Sequence, residues 1–223
     1  MAIKELEAKL TLMDRRILQK KILNWGSKNI RYFPWRTGAN SYQILIAEIF
    51  LQRTKAKQVE PIYKKFIKKY PNFESLIKVK TQIVEKQIYG LGLSRERAKR
   101  IKELTKIIIE KYSGNPPNTL KELKSLPGIG DYIARAFLVF YYNKKIAIID
   151  SNIVRIYKRF FCIEDESEIR RNKDFIHFCE SLVPEEARIF NYSLLDFAAL
   201  ICTPGNPKCN ICVIETNCKK CIE

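Results

Sequence analysis

Apolar residues recur at intervals of three and four along almost the whole chain, and the alternation expected of a half-buried strand is nearly absent. Leu6, Leu10, Met13, Ile17, Leu18, Ile22 and Trp25 trace one helical face, which the segment Tyr32-Phe33-Pro34-Trp35 then breaks. Ser41 is placed to cap a helix over 42–54. Further helices are predicted over 58–69, 73–77, 81–87, 95–112, 119–125, 131–142, 152–161, 173–182 and 187–201. The punctuation between them is Gly90-Leu91-Gly92, Gly114-Asn115-Pro116-Pro117, Pro127-Gly128, Pro184 and Thr203-Pro204-Gly205. The expectation is an all-α protein with short connections and no internal repeat.

At 223 residues the chain can form one large domain or two small ones. Its 41 Lys+Arg against 24 Asp+Glu leave a net charge of +17. That excess suits a polyanion, double-stranded nucleic acid first of all, but a solvated basic surface accounts for it equally well. No apolar stretch is long enough to span a bilayer, and the first ten residues, MAIKELEAKL, are charged rather than signal-like. A cytoplasmic protein is expected. In that reducing compartment the seven cysteines are not a disulfide framework. Five of them fall between Cys202 and Cys221 and suggest metal binding. Cys162 and Cys179, set among Phe160, Phe161, Phe175 and Phe178, read as small core residues.

Leu126-Pro127-Gly128-Ile129-Gly130 joins two predicted helices. Two glycines around one apolar residue allow a sharp turn without a Cβ clash, and the turn delivers backbone amides to the start of the helix from Asp131. Amides and macrodipole together favour an anion there, so the hairpin reads as a sequence-independent phosphate clamp formed around Gly128 and Gly130. An ordinary tight turn between helices is the plainer alternative.

Two carboxylates stand out. Glu48 interrupts Ile44-Leu45-Ile46-Ala47-Glu48-Ile49-Phe50-Leu51, a run apolar almost all round, so it must be paired or line a cleft. Desolvation there would push a carboxyl towards proton exchange at neutral pH, although on this pattern alone a structural salt bridge is the better account. Asp150 ends Ile146-Ala147-Ile148-Ile149 and begins Asp150-Ser151-Asn152-Ile153-Val154-Arg155, the position of a helix N-cap. A capping Asp at the mouth of a cleft could also stabilise a cation. Near the C-terminus, Cys202, Cys209, Cys212 and Cys218 form a C-x6-C-x2-C-x5-C run that suits zinc or an iron–sulfur cluster. Cys221 makes a second C-x2-C pair with Cys218, but only five residues separate the pairs, Val213 to Asn217, short for a two-pair zinc site. Cys221 is therefore read as spare.

The hairpin, Ile149-Asp150-Ser151-Asn152-Ile153-Val154-Arg155 and the closing cysteine run together resemble the helix-hairpin-helix DNA glycosylases of the endonuclease III superfamily. The likeness extends from Phe33-Pro34-Trp35-Arg36 to Cys218. It implies a six-helix barrel with the hairpin over 29–140. A second, discontinuous helical domain over 1–28 and 141–223 would carry a [4Fe–4S] cluster on the four cysteines, and the target base would flip into the cleft between the domains. Glu48 falls where the adenine and thymine-mismatch branches keep a glutamate, and Asp150 on the family's aspartate. Bifunctional members place a lysine two residues beyond the second hairpin glycine; here Tyr132 stands there. A phenol cannot form the imine, so the resemblance implies a monofunctional enzyme.

Tyr132, Phe33-Pro34-Trp35-Arg36, Gly92-Leu93-Ser94 and Gln52-Arg53-Thr54 look more like the thymine branch. The adenine branch generally adds a C-terminal reader of 8-oxoguanine, which is not expected here. The implied activity is hydrolysis of thymine or uracil mispaired with guanine, the alternative being adenine opposite guanine or 8-oxoguanine. The implied partner is mismatched duplex DNA of the nucleoid, bound by a monomer without a membrane. Gln52 or Arg53 would fill the gap opposite guanine and Leu93 would wedge the stack. Phosphates would meet Lys208, Lys219 and Lys220. A wholly non-catalytic DNA-binding module is the third reading.

Overall fold

The computed structural model describes residues 11–163 and 168–219. Leu6, Leu10, Lys220 and Cys221 lie outside them. Among the described residues, eleven α-helices and four short 3₁₀ turns account for the regular structure, and no strand occurs. The helices are α1 Leu12–Asn29, α2 Ser41–Leu51, α3 Ala56–Lys69, α4 Phe73–Ile77, α5 Thr81–Gln87, α6 Ser94–Tyr112, α7 Leu120–Lys124, α8 Asp131–Tyr142, α9 Ser151–Phe161, α10 Lys173–Ser181 and α11 Ala187–Leu200. None is long and apolar enough to cross a membrane.

The chain divides into two compact units, one of residues Tyr32–Tyr142 and the other of the segments flanking it. In the first, α2 packs against α8 and α3, α6 covers α4 and α5, and α7 lies on α8. Phe50, Phe66, Phe73 and Phe137 are fully buried there. Edge-to-face pairs at 5.1 Å (Phe50–Phe66) and 4.7 Å (Tyr42–Phe73) fix their geometry. Burying a side chain of this size contributes about 1.5–3 kcal/mol. Phe33 and Trp35 stack at 4.9 Å with the Arg36 guanidinium over the Phe33 ring, so these two rings of the aromatic break are packed core, while Tyr32 is exposed.

In the second unit α11 packs against α1 and α9. Trp25 meets Phe197 edge to face at 5.2 Å. The crossing is close because Gly26 has no side chain: a Cβ there would lie 1.8 Å from Ser193 Oγ. Asp196 of α11 is fully buried and takes the backbone amide and the guanidinium of Arg31, at 2.7 Å and 2.6–2.8 Å. Both guanidinium nitrogens donate to Oδ1 and the amide to Oδ2, and the pair anchors the last residue before the boundary at Tyr32.

Local chemistry sets the helix ends. Asn40, not Ser41, caps α2: its side chain accepts from the Gln43 amide, and Gln43 answers on the Asn40 amide. The same reciprocal box opens α1 with Thr11 and Asp14. The helix ends at Leu51 rather than at residue 54, because Gln52 leaves helical backbone and Arg53 adopts φ 55°. Cys179 is buried core, whereas Cys162 is half-buried at the C-cap of α9 in left-handed conformation. There it ends a helix instead of filling the core.

Candidate active site

Within the unit Tyr32–Tyr142, Glu48 sits on α2 with 3 % of its surface exposed, among the buried Ile44, Leu45, Ala47 and Ile49. Its helix packs on α8, whose second residue is the half-buried Tyr132. A carboxylate and a phenol are thus carried on two packed helices of one unit.

The hairpin enters α8 through Leu126 and Ile129, both buried, whose side chains root the turn while its glycines stay at the surface end. Gly128 has φ 78°, and a Cβ would stand 3.3 Å from the Arg100 stem, so both backbone and space select glycine. Asp131, in the first turn of α8, would by itself compete with an anion for the helix dipole. Lys124 Nζ at 2.9 Å and Arg135 Nε at 2.8 Å hold it instead. Partial burial pulls its pKa upward, but the Lys124 hydrogen bond and the Arg135 charge outweigh that and leave it below the ordinary carboxylate value. The hairpin therefore keeps an ion-paired carboxylate beside its amides.

Three loop segments of this unit are fastened together. Gln52 Nε2 donates to the Gly128 carbonyl at 3.1 Å. Thr54 Oγ1 donates to the Leu91 carbonyl at 3.0 Å. Arg97, 6 % exposed, donates from Nη1 to the carbonyls of Ile49 and Phe50 (3.1 and 2.7 Å) and from Nη2 to that of Gln52 (3.0 Å), with the Leu91 carbonyl at 3.5 Å. Leu93, 68 % exposed, and Arg53, also exposed, both hold positive φ at the tips so fastened. Arg97 was invisible in the sequence, since an arginine in a basic helix carries no sign of what it binds.

Asp150 belongs to the other unit. It caps α9: Oδ1 accepts from the Asn152 and Ile153 amides at 2.9 and 2.8 Å, and Oδ2 from Asn152 Nδ2 at 2.7 Å. Asn152 Oδ1 in turn accepts from Arg155 at 3.2 Å. Further along α9, Arg155 donates to the Cys202 carbonyl at 2.8 Å, and Arg159 to those of Thr203 and Pro204 at 2.7 and 2.8 Å. The helix that begins at Asp150 thus holds the cysteine loop. Lys208 is exposed at that loop, its amide bonded to the Ile201 carbonyl at 2.9 Å.

Cys202, Cys209, Cys212 and Cys218 are all half-buried. Burial raises the Cys212 thiol, and Cys202, Cys218 and Cys209 are near enough to raise it further. Yet no three His, Cys, Asp or Glu side chains among the described residues are gathered closely enough for one metal ion. Four cysteine sulfurs are a donor set that either zinc or an iron–sulfur cluster takes.

Residues 46–181 match the model of the HhH-GPD superfamily of base excision DNA repair proteins, and the chain belongs to that family. It is 38 % identical over 209 residues to a thymine/uracil-DNA glycosylase of Methanothermobacter thermautotrophicus, covering 93 % of this chain and 95 % of the relative. An adenine DNA glycosylase of Buchnera aphidicola is 37 % identical over 212 residues, 93 % of this chain and 59 % of the relative. Among solved structures, a thermostable thymine-DNA glycosylase superposes with a TM-score of 0.87 at 38 % identity, over 92 % of this chain and 95 % of that one.

Proposed function

We propose that this protein is a monofunctional DNA glycosylase that removes thymine or uracil mispaired with guanine and leaves an abasic site. Kinship supports the substrate: the relative matched along nearly its whole length is named a thymine/uracil-DNA glycosylase. The observation that carries the reaction type is Tyr132 two residues past Gly130, where a nucleophilic amine would be needed for strand cleavage.

In this reading the positive surface, the hairpin amides and Lys208 grip phosphates of a duplex, with affinity falling steeply as salt rises. The mispaired nucleotide then leaves the stack, which costs least at a mismatch. Leu93 enters the gap. Arg53 takes the place opposite guanine, because the Gln52 amide nitrogen is already committed to the Gly128 carbonyl. The C1′–N bond breaks with its electron pair leaving on the base, and Asp150 stabilises the cationic sugar. Glu48 orients the water that adds hydroxide to C1′ and takes up its proton. Tyr132 packs on the extruded nucleotide.

The four cysteines would hold a [4Fe–4S] cluster, which ties the loop from Cys202 to Cys218 into one rigid strap against α9. The barrel-and-cluster-domain arrangement and a monomer working at the nucleoid complete the reading. Adenine removal is the second reading, favoured by the 37 % identity to an adenine glycosylase. A nicking assay on labelled T:G, U:G, A:G and A:8-oxoG duplexes, developed with alkali, separates the two. Cleavage confined to the adenine duplexes overturns the first.

A further inference from the structure

The C-terminal end of α2 is unusual in what satisfies it. The last turn of a helix leaves carbonyls without partners, normally met by a left-handed glycine or a basic side chain of the same turn. Here the last turn has no basic residue, and the C-cap is Gln52 in extended-like backbone. The carbonyls of Ile49 and Phe50 are met instead by the guanidinium of Arg97, from α6 and 47 residues further on. A plain helix cap would end there. The same fork also reaches the Gln52 carbonyl, and the Arg97 main-chain amide donates to the Leu93 carbonyl at 2.9 Å.

The main-chain bond is the regular first-turn bond of α6, whose N-cap is Leu93, so it is the Arg97 side chain that fastens the Gln52-Arg53 turn to the start of that helix. Thr54 ties that turn to Leu91, and Gln52 ties it to the hairpin at Gly128. All three segments bear backbone that L side chains rarely adopt: Arg53 at φ 55°, Gly92 at 70°, Leu93 at 48° and Gly128 at 78°. Residues in such conformations persist where the surroundings over-determine them, commonly at working edges of a protein. The planar five-donor fork is what lets one side chain serve several carbonyls; an ammonium cannot span them with the same geometry.

We propose that Arg97 is a positioning residue that presets the Gln52-Arg53 turn, Leu93 and the Gly128 hairpin as one rigid DNA-facing edge, the edge that extrudes the mispaired nucleotide. The inference rests on the glycosylase reading given above. Its consequence is that Arg97 governs extrusion rather than duplex affinity or the hydrolytic step.

The test compares Arg97→Lys with the parent protein in three readings. These are anisotropy on a fully paired duplex, 2-aminopurine fluorescence beside a U:G mismatch, and single-turnover excision from U:G and from uracil opposite a pyrene nucleotide. Pyrene already expels the uracil, so excision there bypasses the protein's own wedge. The expected result is paired-duplex affinity within about two-fold, since phosphate contacts persist. The fluorescence rise should be lost and U:G excision should fall about ten-fold or more, while excision opposite pyrene stays within about two-fold. An unchanged U:G rate, or an equal loss on both duplexes, overturns the proposal, the latter marking Arg97 as merely structural. Should Arg97→Lys fail to fold, Thr54→Val removes one tie between the same loops, and the same readings decide. If the parent excises from neither duplex, the glycosylase reading fails, and the 2-aminopurine signal alone still decides the role of Arg97.

Discussion

Asn152 Nδ2 lies 2.7 Å from Asp150 Oδ2, while Asn152 Oδ1 accepts from Arg155. The orientation of the Asn152 amide is thus set from both sides, and it in turn fixes the plane of the Asp150 carboxylate. With Oδ1 bound to two backbone amides, the carboxylate is held in one orientation.

Asp150→Asn separates capping from chemistry, because Asn caps a helix as well as Asp does. Its melting temperature should stay close to the parent's, the cost being one amide facing Asn152 Nδ2. Mismatch binding should persist, and single-turnover excision should drop by about 10²–10³-fold, the usual loss of one preorganised electrostatic stabiliser. Turnover within a few-fold of the parent would take Asp150 out of the chemistry.

Tyr132→Lys places a primary amine in the second position of α8, two residues past Gly130. The expected gain is a covalent adduct with U:G duplex that borohydride traps and a gel resolves. A variant that still excises but never traps would show that the amine does not reach the sugar.

Gly26→Ala forces a Cβ to within 1.8 Å of Ser193 Oγ. Overpacking of this kind costs about 1–3 kcal/mol, and calorimetry should show the loss. Ser193→Gly in the same chain should recover much of it. If the double variant melts like the single one, the close crossing of α1 and α11 is not the cause.

Asp196→Ala leaves the Arg31 guanidinium without its buried carboxylate. Because the Arg31 guanidinium left behind is partly solvated, the loss is that of hydrogen bonds to a charged group, about 1.5–3 kcal/mol, and chemical denaturation should begin at lower urea. An unchanged midpoint would mean that Arg31 finds an equivalent partner.

Asp131 supplies an acid dependence. Its folded pKa is depressed, so its contribution is complete above the unfolded value of 3.8 and is lost as pH falls through the lower folded value. Stability measured from pH 6 downward should therefore decline less steeply below pH 4 in Asp131→Asn. Identical acid limbs would assign that decline to other carboxylates.

What the sequence made legible was local. The hairpin announces itself because Gly128 needs φ 78°, the Asp150 cap because the carboxylate bonds two amides within three residues, and the cysteine run because ligand spacing is short-range. The burial of Glu48 was readable from its apolar neighbours along α2. What escaped depends on residues far apart. Arg97 meets carbonyls over 40 positions away, and Asp196 meets Arg31 across 165. Gln52 was read as a candidate for the gap opposite guanine, but its amide reaches Gly128, 76 residues on. The cap of α2 was misjudged by one residue because Asn40 and Ser41 are both capping types, and only the reciprocal bond from Gln43 decides between them.

The most direct measurement incubates the unaltered protein with a T:G or U:G duplex and follows the released base by chromatography, with the labelled strand on a gel before and after alkali. The account predicts free thymine or uracil, a strand intact until alkali is added, and no adduct with borohydride. Strand breakage without alkali together with a trapped adduct, or no released base from either duplex, would contradict it.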